Sequence, residues 1–136
     1  MKPVLVDSNV LLDVATEDPV WIGWSSSALE AACNQSLLVI NPLIYAEVSI
    51  RFLRIEELEE ALPAVVYRRE ALPYEAAFLA GKAFLKYRRR GGARSAPLPD
   101  FYIGAHAAVA GYRLLTRDAT RYRTYFPKVE LIAPDA

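Results

Sequence analysis

Short apolar runs recur along this chain, and each gives way abruptly to a helix start. Val4-Leu5-Val6 runs into Asp7-Ser8-Asn9, Leu37-Leu38-Val39-Ile40 into Asn41-Pro42, and Leu114-Leu115-Thr116 into Arg117-Asp118. The runs are too short for helices, and they are continuous rather than alternating. That is the pattern of strands buried on both faces. Such strands need helices above and below them, so the chain is expected to be an α/β protein with a central, mainly parallel sheet in a three-layer α/β/α arrangement. At 136 residues it suits one domain, 1–136, around one core.

The spacing predicts helices after Asp7, over Trp21 to Gln35 (entered through Ser25-Ser26-Ser27), from Leu43 to about Leu53, from Ile55 to Leu62, from Pro73 to the cations before Gly91-Gly92, over Phe101 to Tyr112, and over Ala119 to Phe126. Asn41-Pro42 is a strong helix entry, a capping side chain followed by proline in the first turn. Val65-Val66-Tyr67 and Val129 to Ile132 are the remaining strand candidates. Pro97-Leu98-Pro99 reads as a rigid loop.

Composition narrows the class by exclusion. Hydrophobic residues make up 54% of the chain, too many for disorder. Sixteen basic residues cancel sixteen acidic ones, so global charge does not mark a nucleic-acid binder. The local stretches do differ: Glu56 to Glu60 is acidic, and Lys86 to Arg94 is basic. A single cysteine, Cys33, excludes an intrachain disulfide framework and reads as simple packing in a reducing compartment. The apolar run after Lys2 is too short for a signal peptide or a membrane span, so the cytoplasm is the expected location.

Four acids fall where a parallel sheet puts its ligands, outside the carboxyl ends of its strands. Asp7 and Asp118 follow strands directly, whereas Glu47 and Asp100 lie in or at the start of apolar helices. Asp7, Asp100 and Asp118 each precede a helix and have an ordinary alternative role as caps. Glu47 does not. It sits inside its helix with Leu43 and Ile44 one turn before and Ile50 one turn after, and its bland partner would be Arg51, four residues on. Carboxylates gathered near apolar surface need a partner, and hard oxygen ligands suit Mg²⁺ or Mn²⁺. One His and one Cys leave little material for zinc. His106, on the apolar segment Gly104 to Ala108, reads first as a core or interface residue.

The ordered set of motifs resembles a PIN-domain ribonuclease, and within that group the VapC-type toxins of type II toxin–antitoxin pairs. It comprises a strand ending in Asp7-Ser8-Asn9, Glu47 in a helix, Leu98-Pro99-Asp100-Phe101, and Leu114-Leu115-Thr116-Arg117-Asp118. Together these span essentially the whole chain. The resemblance implies Mg²⁺- or Mn²⁺-dependent cleavage of RNA, a homodimer, a small antitoxin partner and no membrane association. Carried over by position, Asp7, Glu47, Asp100 and Asp118 match the acidic metal site, and Ser8, Asn9 and Thr116 match polar positions that support it. Many relatives carry a further Asp shortly after the third acid, where this chain has Ile103, Gly104 and Ala105; others carry the fourth acid a few residues later than Asp118. The number of metal ions therefore stays open, as does toxin against housekeeping RNA processing or an inactive binding module.

Arg88, Arg89, Arg90 and Arg94 are candidate phosphate contacts, set against the ordinary preference of cations for a helix C-terminus. Trp21, Trp24, Tyr45, Phe52 and Leu53 could line a hydrophobic groove for a partner, or simply pack in the core. A haloacid-dehalogenase-like phosphatase also places an Asp after its first strand. It resembles a chemistry that wants a second Asp two residues on, and here that position is Asn9.

Overall fold

The computed structural model describes residues 2–94 and 98–134. The expected proline loop therefore lies partly outside the described residues, at Pro97. Five strands, β1 (Val4–Val6), β2 (Leu38–Ile40), β3 (Tyr67–Arg69), β4 (Arg113–Leu115) and β5 (Leu131–Ile132), form one sheet in the order β3-β2-β1-β4-β5. Every pairing is parallel, with Val4 beside Leu38 on one side and Arg113 on the other. Val4, Leu5 and Val6 are all 0% exposed, although successive side chains point to opposite faces. The central strand is therefore covered on both sides, as its unbroken apolar run required.

Seven helices among the described residues provide the cover: α1 (Ser8–Ala15), α2 (Ile22–Gln35), α3 (Pro42–Ser49), α4 (Ile55–Ala61), α5 (Tyr74–Arg89), α6 (Pro99–Ala110) and α7 (Thr120–Tyr125). Helix α6 is the most deeply placed, with Phe101 and Ile103 through Ala107 all buried. Gly104 is required there, because a Cβ would meet the Phe126 ring at 2.4 Å. The helix ends on Gly111 in the left-handed region at φ 72°, the C-terminal stop that glycine supplies without strain.

Several boundaries differ from those expected. Strand β3 begins at Tyr67, not Val65, and Val65 is 96% exposed. The Pro63 carbonyl accepts from the backbone N–H groups of Val66 and Tyr67, turning the chain before the ladder starts. As an edge strand β3 buries only Tyr67, so apolar content did not locate it. Helix α2 begins at Ile22, because the Asp18 carboxylate accepts from Val20 N–H and Trp21 N–H just ahead of it. The three serines are thus inside the helix, where Ser25 donates to buried Asp13 at 2.7 Å. Helix α3 stops at Ser49, short of Leu53. Cys33 is exposed rather than packed. No helix among the described residues is long and apolar enough to cross a membrane.

Candidate active site

The chain runs β1 to β2 to β3 in one direction across the sheet, then crosses back to β4 and β5. The order reverses between β1 and β4. In such sheets the connections leave in opposite directions at that point, and ligands bind in the crevice at the carboxyl ends of the strands. Asp7 leaves β1 there, with its backbone N–H bonded to the Leu115 carbonyl of β4 at 2.9 Å.

Asp7 occupies the N-cap position of α1, yet its side chain makes no capping bond. The carboxylate instead turns to its neighbours across the crevice. Its Oδ2 accepts from Tyr122 OH at 2.8 Å and from Thr116 Oγ1 at 2.9 Å. Thr116 is fixed in turn, its oxygen accepting from Asn9 Nδ2 at 3.2 Å and from Asp118 N–H at 3.1 Å. Asn9 Oδ1 also accepts from Arg117 N–H at 3.3 Å, closing the loop after β4 onto α1. The other oxygen, Asp7 Oδ1, is poorly served. Its nearest donor is Ser8 Oγ at 3.5 Å, and that hydroxyl gives its one proton to Glu47 Oε1 at 2.8 Å. A carboxylate 3% exposed thus presents one oxygen with no close donor.

Glu47 bonds Ser8, and among the described ion pairs none joins it to Arg51. Asp100 is in the first turn of α6 rather than at its cap, where a carboxylate complements the helix dipole. Asp118 is exposed on the loop before α7, and the cap residue of that helix is Ala119. The cap alternative therefore fails in its hydrogen-bonding form for all three aspartates.

The electrostatics unite these acids. Burial pushes the Asp7 carboxyl up to about 6, the Asp100 and Glu47 charges add to the shift, and the Tyr122 and Thr116 hydrogen bonds oppose it. Burial also raises Glu47, with a further push from Asp100 and an opposing bond from Ser8. Asp100 is raised by burial and by Asp118, against Arg121 and a Tyr122 hydrogen bond. Charges of one sign thus oppose one another across the crevice.

Among the described residues, no group of three or more His, Cys, Asp or Glu side chains is set to hold a metal ion. A closed protein cage is therefore not formed. A hydrated divalent ion has a smaller requirement, because Mg²⁺ keeps several waters and takes one or two carboxylates. The weakly served Oδ1 of Asp7, in a group of hard oxygen donors that repel one another, fits that kind of ion.

Sequence reasoning missed two side chains that complete the site. Tyr122, 1% exposed, ties Asp7 and Asp100 together through its hydroxyl. Arg121 approaches Asp100 Oδ2 to 3.7 Å. The sequence carried no clear signal for them, because both lie in a six-residue helix and meet partners from other elements. A cleft of about 330 Å³ opens beside the acids, lined by residues that include Tyr87, Asp100, Asp118, Thr120, Arg121 and Tyr125. From the basic stretch, Arg90 lies over the ring of the lining residue Tyr125 at 5.7 Å but does not itself line the cleft. Arg88 donates to the Arg94 carbonyl at 2.6 Å, while Arg89 is exposed.

Other expected features are assigned elsewhere. His106 is fully buried, receiving a bond on Nδ1 from Asn41 Nδ2 at 3.0 Å and facing Glu70 Oε1 through Nε2 at 3.2 Å. It is a satisfied core histidine. Trp21 and Trp24 pair edge to face, with ring centroids 6.4 Å apart. Tyr45, Phe52 and Leu53 line a separate cleft of about 190 Å³ with Ile55 and Leu58.

The chain shares its fold with VapBC2 from Rickettsia felis bound to a promoter DNA fragment (TM-score 0.72, 15% identity, covering 96% of this chain and 98% of that one). VapBC-1 from nontypeable Haemophilus influenzae gives a TM-score of 0.73 at 16% identity, covering 96% and 97%. A toxin–antitoxin complex from Klebsiella pneumoniae gives 0.71 at 20% identity, covering 96% and 97%. No curated protein is significantly similar in sequence. The family model described as the PIN domain matches residues 4–127, from the first residue of β1 to just past α7. With that match spanning the acids, the switch point and nearly the whole fold, the chain belongs to the PIN-domain family, whose members are generally nucleases.

Proposed function

We propose that this protein is a Mg²⁺- or Mn²⁺-dependent endoribonuclease and acts as the toxin of a VapBC-type toxin–antitoxin pair. The observation that carries the nuclease reading is Asp7, a buried carboxylate with one oxygen fixed by two hydroxyls and the other met only by a long 3.5 Å contact from Ser8, among acids of like charge. When bound, the divalent ion would neutralise charge developing on the phosphate and lower the pKa of water in the crevice.

The chain's own residues do the positioning. Tyr122 and Thr116 hold Oδ2 of Asp7, so that Oδ1 is the oxygen offered to the ion. Asp100, whose carboxyl burial raises above its ordinary value, would orient the water and take its proton as the water oxygen bonds to phosphorus and the P–O bond to the leaving ribose oxygen breaks. Ser8 holds Glu47 at the inner wall. Asp118, exposed on its loop, stands at the mouth as a further oxygen ligand for the hydrated ion. Asn9 locks the β4 loop onto α1, keeping Asp7 and Asp118 in register.

The toxin reading is supported by fold neighbours that are toxin–antitoxin complexes and by coverage of nearly their whole length. It carries with it a small antitoxin partner and a homodimer in the cytoplasm. Wild-type protein with Mn²⁺ should cleave single-stranded RNA, EDTA should abolish cleavage, and added Mn²⁺ should restore it. Cleavage that persists in EDTA would overturn the metal-dependent mechanism. Expression of the chain alone should arrest growth, and co-expression of the adjacent small reading frame should relieve the arrest.

A further inference from the structure

An acidic crevice repels the substrate it must bind, because a phosphodiester carries negative charge to a place already crowded with it. Some cation must offset this at the site itself. Of the arginines described around the crevice, one is already committed and one sits at the rim, outside the cleft lining. Arg117 is held by Asp13, with Nε at 2.8 and 3.1 Å from its two oxygens, and lies over the Trp21 ring. Arg90 lies over Tyr125 at the rim. Among the described residues, Arg121 is the one cation that lines the cleft with Asp100 and Asp118.

Arg121 is held without being used up. Its guanidinium lies over the Tyr87 ring at 5.6 Å and the Phe101 ring at 5.5 Å, and these faces fix its plane. Its one ion pair is a single 3.7 Å approach of Nη1 to Asp100 Oδ2. That is too long for a hydrogen bond and far from the paired, two-bond geometry that satisfies a guanidinium. Among the described residues no close acceptor takes most of its five N–H donors, and about a third of the side chain is exposed.

We propose that Arg121 is the phosphate-binding residue of the 330 Å³ cleft, taking a backbone phosphate of the RNA strand beside the acid cluster. The proposal rests on the nuclease reading above. A planar fork matches two phosphate oxygens, and two aromatic faces hold it ready at little entropic cost. In the absence of RNA, Asp100 is the nearest anion to Arg121. When a phosphate arrives, the guanidinium turns its donors to it and loosens from Asp100, leaving that carboxylate to orient the water.

The test compares wild type with Arg121→Gln and Arg121→Lys. Fluorescence anisotropy with a labelled single-stranded RNA, in EDTA so that nothing is cleaved, gives affinity against salt. Arg121→Gln should weaken binding roughly 10- to 100-fold, the value of a charge-assisted hydrogen bond. The salt slope should fall by roughly 0.7, the value for one phosphate on a single strand. Arg121→Lys should restore the slope but only part of the affinity, because a point charge lacks the fork. Mn²⁺ affinity, read by electron paramagnetic resonance without RNA, should be unchanged or tighter in Arg121→Gln.

An unchanged salt slope in Arg121→Gln would overturn the proposal and reduce Arg121 to a counter-ion for Asp100. Wild type is the control for the reading beneath it. If wild type cleaves RNA with Mn²⁺ and Arg121→Gln binds and cleaves it equally, only the role of Arg121 falls. If wild type neither binds nor cleaves RNA, both fall together.

Discussion

The polar cluster around His106 and the one around Asp7 are built on opposite rules. Around His106, charges and dipoles alternate. Asn41 donates to one ring nitrogen and caps α3 through its Oδ1, which accepts from Ile44 N–H at 3.0 Å, while the other ring nitrogen faces Glu70. Tyr112 and Arg68 both donate to the remaining Glu70 oxygen. Burial alone would raise Glu70, but Tyr112, His106 and Arg68 outweigh it and hold the carboxyl below its ordinary value. Around Asp7 the rule is reversed, and like charges face one another with their carboxyls held up. A cluster that balances itself is structure. A cluster that leaves a like-charged excess holds a place for something of the opposite sign, and perturbed acids in a crevice are where function is sought.

The largest expected effect breaks the second cluster. Asp7→Asn keeps the shape and leaves an oxygen for Tyr122 and Thr116, but removes the charge at the centre. RNA cleavage with Mn²⁺ should fall roughly 1,000-fold or more, since several kcal/mol of charge stabilisation is lost with the ligand. Stability should move the other way. A carboxyl near 6 in the folded state and at 3.8 unfolded binds more protons when folded, so metal-free stability declines as pH rises from about 4 to above 6. For Asp7 the decline is about 3 kcal/mol. Asp7→Asn should flatten it, and Mn²⁺ should offset it in wild type. Urea titrations at pH 4.5 and 7.5, with and without metal, measure both. A wild type more stable at pH 7.5 than at 4.5 without metal would remove the contrast between the clusters.

The balanced cluster should answer differently. His106→Ala leaves Asn41 Nδ2 and Glu70 Oε1 without their partner and opens a void beneath α6. The expected cost is about 3 kcal/mol of unfolding free energy, from cavity and unpaired polar groups together. Because His106 touches none of the four acids, the folded variant should keep far more cleavage than Asp7→Asn does. An activity loss as deep as that of Asp7→Asn, in protein still folded by circular dichroism, would make this network part of the site.

The same division explains what the sequence made legible. The parallel sheet was readable because central strands must be apolar on both faces, as Val4-Leu5-Val6 is. Edge strand β3 was misplaced because it buries one residue, and Tyr67-Arg68-Arg69 looks like surface. Asp7 and Asp118 could be set at the sheet's edge, since a strand end fixes where the next residue goes. Glu47 stood out because it caps nothing and is flanked by Leu43, Ile44 and Ile50, and its partner proved to be Ser8, 39 residues away, not Arg51. Tyr122 and Arg121 were missed for the converse reason. Both lie in a six-residue helix, too short for a face to be read from periodicity, and their partners Asp7, Asp100, Tyr87 and Phe101 come from three other elements.

Tyr122→Phe has the smallest expected effect and gives the sharpest test of how Asp7 is held. The change removes one oxygen from a fully packed ring and leaves volume and burial nearly unchanged. A hydrogen bond to a charged group is lost, worth about 2 kcal/mol in the ionised state and much less when Asp7 is protonated. Stability should therefore fall at pH 7.5 and change little at pH 4.5, a dependence that a packing defect would not show. Because that bond holds the carboxyl down, its loss should move Asp7 further above 6, toward the protonated form. Mn²⁺ must then displace a proton to bind, so the affinity should weaken most near pH 6 and recover at higher pH. NMR titration of the Asp7 carboxyl carbon and Mn²⁺ binding across pH 5.5 to 8 read the two effects separately. If Asp7 titrates unchanged in Tyr122→Phe, Thr116 alone fixes Oδ2, and the contrast between a tied oxygen and a free one rests on β4 rather than on α7.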